Sequence, residues 1–209
     1  MVAIIDYEAG NLTSVANAVA FLGHEGQVTQ DPAVVAAADR VIFPGQGAAG
    51  SAMANLRRLG LEAPLRAALA DGRPVLGICI AHQLIFEHSA EDGGTPCLGV
   101  LPGQVVRFEF PPERHVKIPQ MGWNAVNLVR DHPVFDGVGS GRECYFVHSY
   151  YPAPADDSLV LARTEYEGVE FAAVVGRDNL ISMQFHPEKS GRAGLALLAN
   201  FLRWDGKPC

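Results

Sequence analysis

The residues best suited to chemistry are a cysteine at a strand-to-helix junction and a histidine and glutamate near the end of the chain. Cys79 follows the short apolar run Val75 to Ile78 and precedes an apolar helical segment at 84–86. At such a corner the thiol lies at the N-terminus of the next helix, where unpaired N–H groups and the helix dipole favour a thiolate. A lone cysteine in an apolar stretch is more often inert core, so the assignment of Cys79 as a nucleophile needs a second group.

His186 and Glu188, separated by Pro187, supply that second group. In an extended backbone, residues two apart point to the same side, so both side chains can face one spot. Glu188 would then hold one imidazole nitrogen while the other faces Cys79. This is the nucleophile, base and orienting carboxylate of a triad, in the order Cys, His, Glu.

Composition excludes several classes of protein. The 209 residues are 48% hydrophobic and 19% charged, which predicts one soluble globular domain over residues 1–209. The net charge of −7, with no basic cluster, argues against nucleic acid as a partner. Without a signal peptide or a long apolar run, we expect a cytoplasmic protein that does not meet a membrane. The four cysteines, which are Cys79, Cys97, Cys144 and Cys209, contain no C-x-x-C pair. This argues against a disulfide framework and a zinc site, so we expect reduced thiols. We expect neither a metal nor a cofactor.

The elements around Cys79 alternate in the first half of the chain and become strand-rich in the second. Apolar strands at Val2 to Ile5, Gly26 to Thr29, Arg40 to Phe43 and Val75 to Ile78 are separated by helical periodicity. Such alternation predicts an α/β fold, a mainly parallel open sheet with helices on both faces. From Val105 to Gln184 short β-like pieces follow one another, which we interpret as a mixed β extension of the same sheet, and a closing helix spans Gly191 to Leu202.

The segment Pro44-Gly45-Gln46-Gly47, after the third strand, has two interpretations. A Pro-Gly pair after a strand is often only a turn. At the carboxyl end of a parallel strand, however, glycines let backbone N–H groups turn toward a ligand. Together with the N–H of Ile80, which follows the nucleophile, this loop is a candidate oxyanion hole.

These segments resemble the triad-type (class I) glutamine amidotransferases, whose signature is a Gly-x-Cys-x-Gly-x-Gln elbow and a late His-Pro-Glu. Further stretches resemble one branch of that family, the glutaminase subunits of imidazole glycerol phosphate synthases. The stretches are Asp6-Tyr7-Glu8-Ala9-Gly10-Asn11-Leu12, Pro44-Gly45-Gln46-Gly47, Pro119-Gln120-Met121-Gly122-Trp123-Asn124, Tyr145-Phe146-Val147-His148-Ser149-Tyr150 and Gln184 to Gly191. They span nearly the whole chain and imply a flavodoxin-like, class I amidotransferase fold.

The resemblance implies a reaction and a partner. Glutamine would be hydrolysed to glutamate and ammonia through a thioester on Cys79, and a (β/α)₈-barrel cyclase subunit would receive the ammonia. The residues that the resemblance implies for the oxyanion hole are Gln46 or Gly47 with Ile80; for glutamine binding, Gly45, Gln83, His148, Ser149 and Tyr150; and for the partner interface, Asn11, Pro119, Gln120, Met121, Trp123, Tyr145 and Lys189. For His148 we expect a positioning role and not that of the base, and core packing is the alternative for Met121 and Trp123.

Two residues depart from the family's elbow. Ala81 stands where the family has glycine, and His82 where it has methionine or a similar residue. We expect the small Ala81 to be tolerated and His82 to serve packing or an interface. The departures leave two alternatives open, a non-catalytic regulatory or scaffold subunit and a stand-alone Cys-His-Glu hydrolase of the same fold.

Overall fold

The computed structural model describes residues 1–10 and 12–207. Strands and helices alternate in the first half: β1 (Val2–Ile5), α1 (Leu12–Phe21), β2 (Gly26–Thr29), α2 (Pro32–Ala37), β3 (Arg40–Phe43), α3 (Ala49–Arg58), α4 (Glu62–Ala70), β4 (Val75–Ile78) and α5 (Ile80–Leu84). The second half is mostly strand: β5 (His88–Ser89), β6 (Thr95–Pro96), β7 (Gly103–Arg107), β8 (Gln120–Leu128), β9 (Arg142–His148), β10 (Tyr150–Pro154), β11 (Val160–Tyr166), β12 (Val169–Arg177), β13 (Leu180–Met183), closed by α6 (Gly191–Arg203).

A nine-stranded sheet in the order β2-β1-β3-β4-β13-β12-β11-β8-β9 forms the centre of the molecule. Its first five strands in that order are parallel, and the remaining pairings are antiparallel. β13 therefore lies directly beside β4, although about a hundred residues separate them in sequence. This places the carboxyl ends of the strands that precede Cys79 and His186 side by side.

Helices cover both faces of the parallel half, as the sequence predicted. Within β1, Ala3 and Ile5 pack with α2, α3, α4 and α5, whereas Val2 and Ile4 pack on the opposite face with α1 and α6. The period-two alternation of a strand thus feeds two hydrophobic cores, one on each side of the sheet. Within the described residues no helix is both long and apolar enough to span a bilayer.

The β-rich half differs from the prediction in one respect. Val105 to Phe108 was expected to extend the main sheet, but β7 belongs to a separate four-stranded sheet in the order β10-β7-β5-β6. β5 and β6 have two residues each, too short to show a periodic pattern, so the sequence indicated the strand β7 but not the separate sheet to which it belongs. Ser149 separates β9 in the first sheet from β10 in the second, and this junction borders the candidate site.

Candidate active site

Cys79 occupies a sharp turn between β4 and α5. Its backbone has φ 58° and ψ −108°, a conformation that L-residues rarely adopt. Gly77, two residues earlier in β4, lets β4 and β13 approach closely, because a Cβ at that position would overlap the Ser182 hydroxyl on β13. The thiol is 5% exposed and points toward the Val147 carbonyl, with Sγ 3.9 Å from the oxygen. The predicted strand–turn–helix corner is confirmed.

His186 reaches the same corner from β13. The ends of the two strands are aligned, because Met183 pairs with Ile78 and the Cys79 N–H donates to the Met183 carbonyl at 2.8 Å. Cys79 is the first residue after β4, and His186 is the third residue after β13. His186 Nδ1 lies 2.8 Å from Glu188 Oε1. Extended backbone was expected between these two residues, but Pro187–Lys189 is a 3₁₀ turn, and the turn brings ring and carboxylate together.

The electrostatics of His186 connect it with Cys79. Burial alone lowers the pKa of the imidazole, but the hydrogen bonds and charges of Cys79 and Glu188 outweigh burial and raise the pKa to about 10. With Nδ1 engaged by Glu188, Nε2 is buried and has no hydrogen-bond partner of standard geometry among the described residues. The free nitrogen is therefore available to the thiol, and the structure brings the three predicted triad residues together.

A cavity of about 240 Å³ opens beside the Cys79 sulfur. It is lined by Gln46, Gly47, Cys79, Ile80, Gln83, Glu91, Pro119, Val147, His148, Ser149 and Tyr150. Gly45 lines a smaller neighbouring cavity that His186 and Glu188 also border. All the residues that the sequence assigned to the oxyanion hole and to glutamine binding therefore surround one site.

The carbonyl of Tyr150 organises two of these residues. Gln83 Nε2 donates to it at 2.8 Å, and His148 Nδ1 lies 2.8 Å from the same oxygen. Gln83 Nε2 also donates to Gln184 Oε1 at 3.1 Å. Burial, the largest effect, lowers the pKa of His148 to about 4, so its ring is neutral near pH 7. This agrees with a positioning role for His148.

The loop expected to supply an oxyanion donor is held in another arrangement. The Gln46 N–H donates to the Ala9 carbonyl at 3.4 Å. Gly45 packs so closely on Tyr7 that a Cβ would overlap the phenol oxygen. The Gln46 N–H must break its bond to Ala9 before it can face an oxyanion.

Glu91 lines the cavity, and the sequence did not point to it. Its Oε2 accepts a hydrogen bond from the Ala49 N–H at 2.8 Å, at the start of α3. Burial raises the pKa of the Glu91 carboxyl, Asp92 adds to this effect, and the bond from Ala49 opposes it. In the sequence Glu91 opens an Asp-Gly-Gly segment that indicates only a turn, so only tertiary structure places it at the site.

Ala81 and His82 leave the elbow intact. Both are fully buried, and His82 Nε2 lies 3.2 Å from the Ala172 carbonyl, with the ring edge-to-face on Phe86. Burial, the largest effect, lowers the pKa of His82 to about 3, which keeps the ring neutral. The expectation that His82 is a packing residue is confirmed.

The residues predicted to meet a partner separate into exposed and buried groups. Met121 is 66% exposed and Trp123 51% exposed, which rules out core packing for both residues. The Trp123 ring packs edge-to-face on Tyr145. Lys189, which follows Glu188 in the sequence, is exposed. Gln120 is 1% exposed and so forms no part of an open surface, whereas Pro119 is exposed and also lines the cavity. Asn11 lies outside the described residues.

An open α/β sheet with cysteine, histidine and glutamate beyond the carboxyl ends of two adjacent parallel strands is the arrangement expected of a triad-type cysteine hydrolase. The family described as "Glutamine amidotransferase class-I" matches residues 3–204, and the chain belongs to this family.

Relatives within the family are similar over almost their whole length. The chain is 50% identical to the "Imidazole glycerol phosphate synthase subunit HisH" of Aromatoleum aromaticum, covering 97% of this chain and 98% of the relative. It is 47% identical to the HisH subunit of Chromobacterium violaceum and 48% identical to that of Nitrosococcus oceani, with 98% of each chain covered in both cases.

Solved structures share the fold at lower identity. A crystal structure of a glutamine amidotransferase superposes with a TM-score of 0.75 at 20% identity, covering 99% of this chain and all of that one. PurLQS from Thermotoga maritima gives a TM-score of 0.73 at 18% identity, with 97% of each chain covered. The predicted fold class is confirmed.

Proposed function

We propose that this chain is the glutaminase subunit of an imidazole glycerol phosphate synthase, which hydrolyses glutamine and passes the ammonia to a (β/α)₈-barrel cyclase in the cytoplasm. The observation that carries the proposal is the imidazole of His186, fixed on Glu188 at Nδ1 and left free at Nε2, beside a buried thiol that opens onto a cavity. The choice of synthase is supported by HisH relatives that are 47–50% identical to this chain and align with it over 97–98% of its length.

The chemistry uses Cys79 and His186 in turn. With the pKa of His186 raised to about 10, the proton shared with Cys79 resides on His186 Nε2 as the sulfur attacks the side-chain amide carbon of glutamine. The imidazolium then protonates the leaving nitrogen, and ammonia departs from a glutamyl thioester. A water molecule loses a proton to His186 as it attacks that thioester, which releases glutamate and restores the thiol.

The oxyanion of each tetrahedral intermediate needs preset donors. The N–H of Ile80, at the start of α5, is one proposed donor, and the N–H of Gln46 or Gly47 is the other. Removal of one such donor typically costs about 2.7–4 kcal/mol of transition-state stabilisation. Since Gln46 is bound to Ala9 here, the loop would be less active in this arrangement than after it reorganises.

Recognition of glutamine would use the remaining walls of the cavity. We assign the α-ammonium of glutamine to the carboxylate of Glu91. An opposite charge in a half-buried site discriminates most strongly between glutamine and molecules that lack the ammonium group. Gln83, Gly45 and the backbone of Ser149 and Tyr150 would hold the rest of the molecule.

The partner would dock on the exposed face of β8 and β9. Met121 and Trp123 are large apolar side chains that gain free energy when they leave water, and Tyr145 lies between Trp123 and His186. A subunit seated there would cover the site, so ammonia could pass to it before being protonated in bulk water.

The test compares Cys79→Ala with Cys97→Ala, a matched control because Cys97 is also buried but lies outside the cavity. With a cyclase partner and its ligand, wild type and Cys97→Ala should release glutamate from glutamine, and Cys79→Ala should release none. All three complexes should form product equally well from added ammonia.

Three results would contradict the proposal. Glutamate release by Cys79→Ala would exclude the thioester route. Failure of a glutamine-like electrophile to label Cys79 would favour a non-catalytic subunit. Full glutaminase activity without any binding to the cyclase, even when Trp123 is intact, would favour a stand-alone hydrolase.

A further inference from the structure

The hydroxyl of Ser190 is buried beside the candidate triad and makes two hydrogen bonds. It donates to the His186 carbonyl at 2.6 Å and accepts from the Tyr145 N–H at 3.0 Å, and the residue is 2% exposed. Sequence analysis gave Ser190 no role. Both of these hydrogen bonds are to backbone groups, one of which belongs to the residue that carries the proposed catalytic imidazole.

The two bonds complete a backbone connection between His186 and strand β9. The His186 N–H already donates directly to the Tyr145 carbonyl at 2.9 Å. The Ser190 hydroxyl joins the remaining pair, the Tyr145 N–H and the His186 carbonyl. Both backbone groups of His186 are therefore bound to the same residue of β9, although His186 lies beyond the end of β13 and is not part of that strand.

The position of Ser190 in the fold makes this use of its hydroxyl unusual. Ser190 is the residue before α6, where a serine hydroxyl ordinarily accepts a hydrogen bond from an N–H of the first helical turn. Here the side chain makes no such capping bond. A hydroxyl that leaves the helix N-terminus uncapped and binds His186 instead contributes to the geometry of the site more than to the helix.

We propose that Ser190 is a positioning residue for His186: its hydroxyl fixes the His186 peptide on β9 and so holds Nε2 at the Cys79 sulfur. This inference rests on the proposed glutaminase chemistry. Without the hydroxyl, the part-buried Tyr145 N–H loses its partner and the His186 carbonyl retains the Lys189 N–H at 3.0 Å but loses its bridge to β9, so the peptide that carries the imidazole is held less firmly. A misplacement of about 1 Å at a reacting group can lower a rate by about a hundredfold.

The experiment uses Ser190→Ala and Ser190→Gly in the complex with the cyclase. Both replacements fit the backbone of Ser190, whose φ is −96°. The matched control is Thr164→Val, because Thr164 is 1% exposed and its hydroxyl donates to the Ala125 carbonyl at 2.8 Å on strands away from the cavity. The measurements are kcat and KM for glutamine, the thermal midpoint, and product formation from added ammonia.

We expect both Ser190 variants to lower kcat by about 10- to 30-fold, the equivalent of two ordinary hydrogen bonds, with KM within about twofold of wild type. Thr164→Val should lose a similar amount of thermal stability and keep its kcat. Ammonia-fed synthesis should be unchanged in all three, because it bypasses the imidazole. The basic limb of the kcat profile should also move to lower pH in the Ser190 variants, since a loosened ring meets Cys79 and Glu188 less closely.

A kcat within twofold of wild type in either Ser190 variant would overturn the inference, as would a loss confined to KM or an equal loss of kcat in Thr164→Val. The Cys79→Ala complex separates this failure from failure of the proposed function. If Cys79→Ala is inactive with glutamine while Ser190→Gly is fully active, only the role of Ser190 is wrong.

Discussion

Replacing Glu188 with glutamine would keep an acceptor near His186 Nδ1 and remove the negative charge. In the native site the carboxylate oxygen lies 2.8 Å from Nδ1, and the two side chains are 6% and 3% exposed, so water screens the pair little. Alanine at the same position would remove both the charge and the acceptor. The two variants therefore separate the ionic part of the interaction from the orienting part.

The size of each effect follows from the bond that is lost. A hydrogen bond to a charged group contributes about 1.5–3 kcal/mol, and a neutral one about 1 kcal/mol. If this stabilisation is present in the transition state, Glu188→Gln should lower kcat/KM by about 5- to 20-fold and Glu188→Ala by about 10- to 150-fold.

The pH dependence gives a second, independent readout. The pKa of His186 is raised from 6.5 to about 10, so the stability that the proton contributes is fully present below pH 6.5 and is lost as pH rises through about 10. Removing the Glu188 charge takes away one of the effects that raise the pKa of His186. The basic limb of the kcat/KM profile should therefore move to lower pH in Glu188→Gln.

Glutamate release by the complex, followed from about pH 6 to about pH 10.5, measures both quantities. Ammonia-fed synthesis at each pH is the control for docking and folding. The reasoning fails if Glu188→Ala keeps kcat/KM within twofold of wild type, or if the basic limb of Glu188→Gln stays where wild type has it.

Two further predictions concern stability. Gly45→Ala should lower the thermal midpoint, because the new Cβ overlaps the phenol oxygen of Tyr7, and adding Tyr7→Phe should recover part of the loss; no recovery in the double variant would contradict the overlap. His82→Met should make the protein more resistant to acid. The pKa of His82 is lowered to about 3, so the stability that depends on its neutral ring is fully present above pH 6.5. As pH falls from 6.5 toward 3, the free energy of unfolding decreases by about 1.4 kcal/mol per pH unit. Urea unfolding at neutral and acid pH measures this, and equal acid sensitivity of wild type and His82→Met would refute it.

The parallel half of the fold could be predicted because local pattern and tertiary structure agree there. Val75–Ile78 is apolar throughout and is buried on both sides, which is what a central parallel strand requires. The convergence of the three proposed triad residues could also be predicted, since Cys79 lies at a strand end and His186 and Glu188 are two residues apart. Even so, the carboxylate meets the ring through a 3₁₀ turn that the sequence did not indicate.

Glu91 and Ser190 could not be found in the same way. Glu91 reaches the cavity because its segment folds against the start of α3, a contact across more than forty residues. Ser190 has the sequence of an ordinary helix cap, and only the coordinates show that its hydroxyl binds elsewhere. The role of each side chain depends on which of several possible partners the fold brings near, and a polar residue type alone does not decide that.

The backbone of Cys79 has a consequence for how this protein responds to selection. A non-glycine residue at φ 58° raises the free energy of the folded state by about 1–3 kcal/mol, and glycine would relieve most of that burden. A library screened only for heat resistance would therefore favour replacement of Cys79, the residue proposed to form the thioester. Thermostabilised descendants of this chain need a screen that also scores turnover, or the nucleophile will be among the first residues lost.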